Sequence, residues 1–161
     1  EYIREIMAKT DGEVVIVSPD AGRDKLNRLY AQELGGLPRA LVDKIRTGKN
    51  EVEVASVMGE VKGRTCIMID DMIDTGGTII ENVVRLKEMG AKDIYVFATH
   101  GLFSKDAISR IDASPINRVF VTDSVPLKCA SPKVQVISIA SLIAEAIKRE
   151  HDNESVSYLF E

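Results

Sequence analysis

Residues 66–78 read Cys66-Ile67-Met68-Ile69-Asp70-Asp71-Met72-Ile73-Asp74-Thr75-Gly76-Gly77-Thr78. An apolar run, an acidic pair, a glycine turn and then a helical pattern describe a buried strand that delivers the chain into a helix start. A strand apolar on both faces belongs inside a parallel sheet that is covered on each side. Outward from it, Val- and Ile-rich runs at residues 14–17, 40–42, 94–98, 119–121 and 134–137 read as further strands. Helical patterns fill residues 25–34, ending at Gly35-Gly36, and 78–89, ending at Gly90. Residues 141–149 carry Leu142, Ile143, Ala146 and Ile147 on one helical face, and residues 1–9 place Tyr2, Ile3 and Ile6 together. This alternation predicts an open α/β fold, a mostly parallel sheet with helices on both faces. Ligands bind such folds outside the C-terminal ends of the strands. Residues 44–62 break the rhythm: they are charged, contain Gly48 and Gly59, and read as a mobile loop leading into a hairpin around residues 52–57.

The length of 161 residues predicts one domain with a full core. Apolar residues at 45% and charged residues at 29% exclude a disordered or fibrous chain. No apolar run approaches the ~20 residues that cross a bilayer, so no membrane association is expected. A surplus of 25 acidic over 21 basic side chains, net charge -4, argues against a nucleic-acid partner. Cys66 and Cys129 form no C-x-x-C pair, which favours a reduced, cytoplasmic setting over a disulfide framework. The first residue is Glu1, within a helix already under way and without secretory-signal character, so the chain reads as a fragment of a longer protein.

The chemistry sits in residues 70–78. Backbone N–H groups at a helix N-terminus carry partial positive charge, Gly76 and Gly77 let that backbone approach an anion, and the Thr75 and Thr78 hydroxyls add donors. These residues suit a monophosphate. Asp70 and Asp71 would repel it, so they serve either the vicinal hydroxyls of a ribose or a Mg²⁺ ion, with Asp74 between the two functions. A Walker B strand also ends in acidic residues, but its partner loop G-x-x-x-x-G-K-[ST] is absent from the sequence. A second strand end, Ser18-Pro19-Asp20-Ala21-Gly22, offers backbone donors and one carboxylate, which fits a diphosphate with Mg²⁺. Lys44 and Arg46 lie where a cationic loop would close over a phosphoryl group in transfer, with Lys49 beside them. His100 reads as structural, His151 as a helix C-terminal charge, and Arg39, Arg64 and Arg110 as surface charge.

The segment DDMIDTGGT resembles the phosphoribosyl-pyrophosphate (PRPP) binding signature of type I phosphoribosyltransferases and, in its longer acidic form, of ribose-phosphate pyrophosphokinases. Residues 17–22, Asp43-Lys44 with Arg46, and the tail Glu154-Ser155-Val156-Ser157-Tyr158-Leu159-Phe160 match the latter family in the same order. The resemblance implies a phosphoribosyltransferase-like domain forming the C-terminal half of a two-domain enzyme, residues 1–161, without the N-terminal half that binds most of the ATP. It implies transfer of the diphosphate of ATP to O1 of ribose 5-phosphate, giving PRPP and AMP for nucleotide biosynthesis, with Mg²⁺. The implied roles are Lys44 and Arg46 in catalysis, and Asp70, Asp71, Asp74, Thr75, Gly76, Gly77 and Thr78 on the ribose phosphate. Asp20, Ala21, Gly22 and Arg23 would hold the diphosphate, Asp20 as metal ligand, and Ser155 and Ser157 an allosteric site in a homo-hexamer. Arg23 departs from the family pattern, which usually has a second glycine there; it would either clash with the diphosphate or contact it. A phosphoribosyltransferase, or a non-catalytic protein associated with the synthetase, is the alternative.

Overall fold

The computed structural model describes residues 1–45, 54–128 and 130–160. In chain order these form α1 (Tyr2–Lys9), β1 (Val14–Ser18), a 3-10 turn (Ala21–Arg23), α2 (Asp24–Glu33), β2 (Arg39–Ile45) and β3 (Val54–Met58). There follow β4 (Thr65–Ile73), α3 (Gly77–Glu88), β5 (Ile94–Gly101), α4 (Ala107–Ala113), β6 (Arg118–Thr122), β7 (Val134–Ile137), α5 (Ala140–His151) and a last 3-10 turn (Ser157–Phe160). The strands make one sheet in the order β3-β2-β1-β4-β5-β6-β7. Every neighbouring pair is parallel except β2 with β3, which is antiparallel; the strand-like patch read at residues 52–57 falls on β3, but its partner is β2, a strand that the sequence reading had placed before the loop.

Both faces of the central strands are buried, and the alternation of side chains along them divides the core in two. Val15, Val17, Cys66, Met68 and Val96 join Ile79, Val83 and Leu86 of α3 and Ile111 of α4. Val14, Ile16, Ile67 and Ile69 point the other way, against Ala31 of α2 and Ile3, Ile6 and Met7 of α1. All five residues of β1 are buried. Each fully buried Val or Ile contributes roughly 1.5–3 kcal/mol, so β1 and β4, at the centre of the sheet, are its most firmly held strands. Burial also pushes the Cys66 thiol up to about 12, which makes it an inert core group.

Three elements depart from the sequence reading. Helix α4 went unread because its seven residues show only two buried positions, Ala107 and Ile111, too few to establish a period. β4 runs past its apolar stretch through Asp70 and Asp71 to Ile73, because β5 keeps pairing with it, Met72 opposite His100 and Ile73 opposite Gly101. β2 extends to Ile45, with Lys44 opposite Ala55 of β3, so Lys44 stands on a strand and not on the expected loop. Arg46 and Lys49 lie outside the described residues, as does Cys129.

Helix α5 follows the edge strand and buries no side chain; Leu142, Ile143 and Ile147 are exposed. Its last turn is held by Arg149, which pairs with Glu145 and Glu154, donates to the Ser155 carbonyl and lies over the Tyr158 ring at 4.7 Å. Through Glu154, Ser155 and Tyr158 the tail thus docks on α5.

Candidate functional site

A cleft of about 260 Å³ opens at the C-terminal ends of β1 and β4. It is lined by Asp20, Arg23, Asp70, Asp71, Asp74, Thr75, Gly76, Gly77 and Thr78, with Met72, Ile73 and Ile79. Two stretches of sequence some fifty residues apart meet here because β1 and β4 are parallel neighbours, Val17 opposite Met68.

One wall is the turn into α3. Gly76 is its N-cap in the left-handed region, φ 70°, where a side chain is strained, and no side chain caps the helix. The first-turn N–H groups are therefore left for an external acceptor. A Cβ on Gly77 would meet only Thr75 Oγ1, at 3.8 Å, so its missing side chain serves the open approach to the helix end and relieves no crowding. The turn is fixed from behind: Ser104 N–H donates to the Asp74 carbonyl at 3.0 Å, and Leu102 N–H to that of Ile73 at 2.9 Å. Arg110 of α4 reaches the Thr75 carbonyl at 3.4 Å, so this arginine braces the turn and is more than surface charge.

The opposite wall is the 3-10 turn after β1. Asp20 Oδ1 accepts the Arg23 N–H at 3.0 Å, and a Cβ on Gly22 would crowd that oxygen at 3.1 Å. The side chain of Arg23 crosses to β4. Its Nε lies 3.2 Å from Asp70 Oδ1 and its Nη2 contacts Asp71 Oδ2, while Asp71 N–H donates to Asp70 Oδ1 at 2.8 Å. Arg23 therefore spans the acidic pair. Desolvation pushes the Asp70 carboxyl above the ordinary carboxylate range. For Asp71 desolvation also pushes upward, but the hydrogen bond with Asp70 and the Arg23 charge together hold it below that range.

Two asparagines that the sequence reading passed over tie these walls to the scaffold. Asn82 of α3, fully buried, donates from Nδ2 to the Pro19 carbonyl at 2.9 Å. Asn27 of α2 donates to the Ile69 carbonyl at 3.2 Å, just before the acidic pair. A polar residue on the apolar face of a helix was the available signal. His100 is exposed, meets Ser124 Oγ at 2.8 Å and does not line the cleft. Ser155 and Ser157 are exposed on the tail beside α5 and are not among the cleft-lining residues.

Among the described residues no three His, Cys, Asp or Glu side chains converge as a metal cage. A Mg²⁺ ion characteristically takes one or two carboxylates and draws its remaining ligands from phosphates and water. Asp20, exposed in the cleft with one oxygen turned to Arg23 N–H, suits that arrangement; Asp70 and Asp71 are engaged by the guanidinium.

Residues 39–161 match the family model described as the phosphoribosyl synthetase-associated domain. The chain belongs to this family. It is 46% identical to a ribose-phosphate pyrophosphokinase of Gloeobacter violaceus, across 99% of this chain and 48% of that protein. It is 42% identical to the crystal structure of phosphoribosylpyrophosphate synthetase from Mycobacterium smegmatis, with a TM-score of 0.86 over 94% of this chain and 49% of the other. The chain thus spans about half the length of the curated relatives it matches. The APRTase of Giardia lamblia, 16% identical, shares the fold with a TM-score of 0.55 over 73% of this chain and 74% of its own. The architecture is the phosphoribosyltransferase-like fold expected from the sequence.

Proposed function

We propose that this chain is the C-terminal, ribose-phosphate-binding half of a ribose-phosphate diphosphokinase. The observation that carries the reading is the junction of β4 and α3, where two carboxylates on a strand end stand beside an uncapped helix N-terminus. A sugar phosphate needs both: hydrogen-bond acceptors for vicinal hydroxyls and donors for a dianion. In this reading Asp74, Thr75, Gly76, Gly77 and Thr78 hold the 5-phosphate, and Asp70 and Asp71 receive the ribose hydroxyls. The turn of Asp20, Ala21, Gly22 and Arg23 receives the diphosphate of PRPP. In the forward reaction O1 of ribose 5-phosphate attacks the β-phosphorus of ATP; the bond to the α-phosphate oxygen breaks, AMP leaves, and the O1 proton is released. Lys44 and Arg46 are assigned to the transferring group. Mg²⁺, when bound at Asp20 with the phosphates, supplies charge neutralisation.

ATP as co-substrate, a hexamer of the full-length protein with Ser155 and Ser157 at an allosteric site, and a cytoplasmic location complete the proposal. Because most ATP-binding residues belong to the other half, the 161-residue chain alone binds ribose 5-phosphate and PRPP without turnover. The Arg23 bridge favours one second reading, a non-catalytic associate of an active synthetase, which adding the full-length protein to such a synthetase would expose as a change in its rate.

The deciding experiment is calorimetric titration of ribose 5-phosphate, and of PRPP with Mg²⁺, into the wild-type chain and Gly77→Val. A Cβ there meets only Thr75 Oγ1, at 3.8 Å, and the side chain it carries stands in the anion's path, so both ligands should weaken at least tenfold, with thermal unfolding run alongside to show that the variant is folded. Wild-type binding that survives Gly77→Val unchanged would sink the assignment of the phosphate to this helix end.

A further inference from the structure

The geometry points to Arg23 as a specificity-determining latch, which admits to the acidic pair those sugar phosphates whose C1 substituent is itself an anion. The inference rests on the sugar-phosphate reading of the cleft and deepens it. Without ligand, the Arg23 guanidinium occupies the acceptors that the ribose hydroxyls require: Nε is 3.2 Å from Asp70 Oδ1 and Nη2 is on Asp71 Oδ2. Any ribose must displace it. Two neutral hydroxyl donors then replace a forked, charged donor, and charge-assisted hydrogen bonds are roughly twice as strong as neutral ones. For ribose 5-phosphate, which is neutral at C1, this exchange is a net loss.

For PRPP it is not. The backbone of Arg23 ends the same 3-10 turn that carries Asp20, and its N–H is pinned to Asp20 Oδ1 at 3.0 Å. The released side chain therefore stays anchored beside the position assigned to the diphosphate. There it recovers on the ligand the ion pairs given up on Asp70 and Asp71. Its side chain is one-third exposed, so the swing needs no opening of the core. Arg23 accordingly penalises the substrate and favours the product. In this reading Arg23 neither simply clashes with the diphosphate nor simply contacts it, but exchanges one set of carboxylates for phosphate oxygens.

The test measures both sugar phosphates, without and with Mg²⁺, on wild type, Arg23→Gly and Arg23→Lys of the 161-residue chain, each shown to be folded by its thermal unfolding. Arg23→Gly should tighten ribose 5-phosphate about three- to tenfold and reduce the preference for PRPP by at least tenfold; Arg23→Lys, charged but not forked, should fall between. In the wild type, the Arg23 Nε–H resonance should be protected when free and shift with PRPP. Ribose 5-phosphate affinity that is unchanged or weaker in Arg23→Gly, with PRPP still bound, would overturn the latch and leave the cleft assignment standing. Failure of wild type and both variants to bind either sugar would overturn the assignment and the latch together.

Discussion

Replacing Asn82 by leucine tests how the two walls of the cleft are held in register. Asn82 is fully buried on α3; its Nδ2 donates to the Pro19 carbonyl at 2.9 Å, while its own Oδ1 has no partner among the described residues. Removing the donor strands that carbonyl, at a cost of about 1–3 kcal/mol. Leucine has the same branching and also removes the unpaired Oδ1, but its methyl groups are bulkier than the amide they replace at this buried site, so the net loss should be about 1–3 kcal/mol. Alanine adds a cavity and should cost about 2–4 kcal/mol. Urea unfolding at constant slope reads these numbers. Binding reads the consequence. PRPP touches both walls and should weaken about fivefold, the equivalent of ~1 kcal/mol, whereas inorganic phosphate, held by the α3 turn alone, should stay within about twofold by the same reasoning. Equal weakening of both ligands, or undiminished PRPP affinity in a destabilised Asn82→Leu, would refute the idea that this hydrogen bond sets the spacing of the cleft.

Two further outcomes follow from the core and the turn. A Cβ on Gly76 would meet Ile80, Ile111 and Ile73 at ordinary distances of 3.6–3.9 Å, so Gly76→Ala should lose only the backbone cost of φ 70°, about 1–2 kcal/mol. Gly76→Asn should lose less, and equal thermal shifts for the two would contradict the backbone explanation. Burial lifts the Cys66 thiol from 9.0 to about 12, so above pH 9.0 the unfolded chain releases a proton that the folded chain keeps. The stabilisation is whole below pH 9.0 and is lost as pH rises towards about 12, at ~1.4 kcal/mol per pH unit. The stability difference between wild type and Cys66→Val should therefore fall along that range in urea titrations; a flat difference would show the thiol ionising in place.

The features legible in the sequence were those written in short range. The apolar runs of β1, β4, β5 and β6 and the glycine turn after Asp74 each announce themselves within about ten residues, and parallel pairing follows from their alternation with helices. What stayed hidden depends on distance along the chain. The partners of Arg23 are 47 and 48 residues away, on a strand that becomes its neighbour only when the sheet forms. Arg110 reaches back 35 residues, and Asn82 63. Lys44 was misplaced for a similar reason, since a charged residue among turn-formers reads as loop until β3 supplies the opposite strand.

The position of the cleft in the strand order also governs how the chain breathes. Its acidic pair and both of its turns hang from β1 and β4, the inner strands, while β3 and β7 form the edges. Amide exchange should accordingly be fast at the edges by local fraying, and at residues 15–17 and 66–69 should occur only when the whole domain opens. The rims of this sheet can therefore open and close on their own timescale while the binding surface keeps its shape until the last cooperative unit is lost.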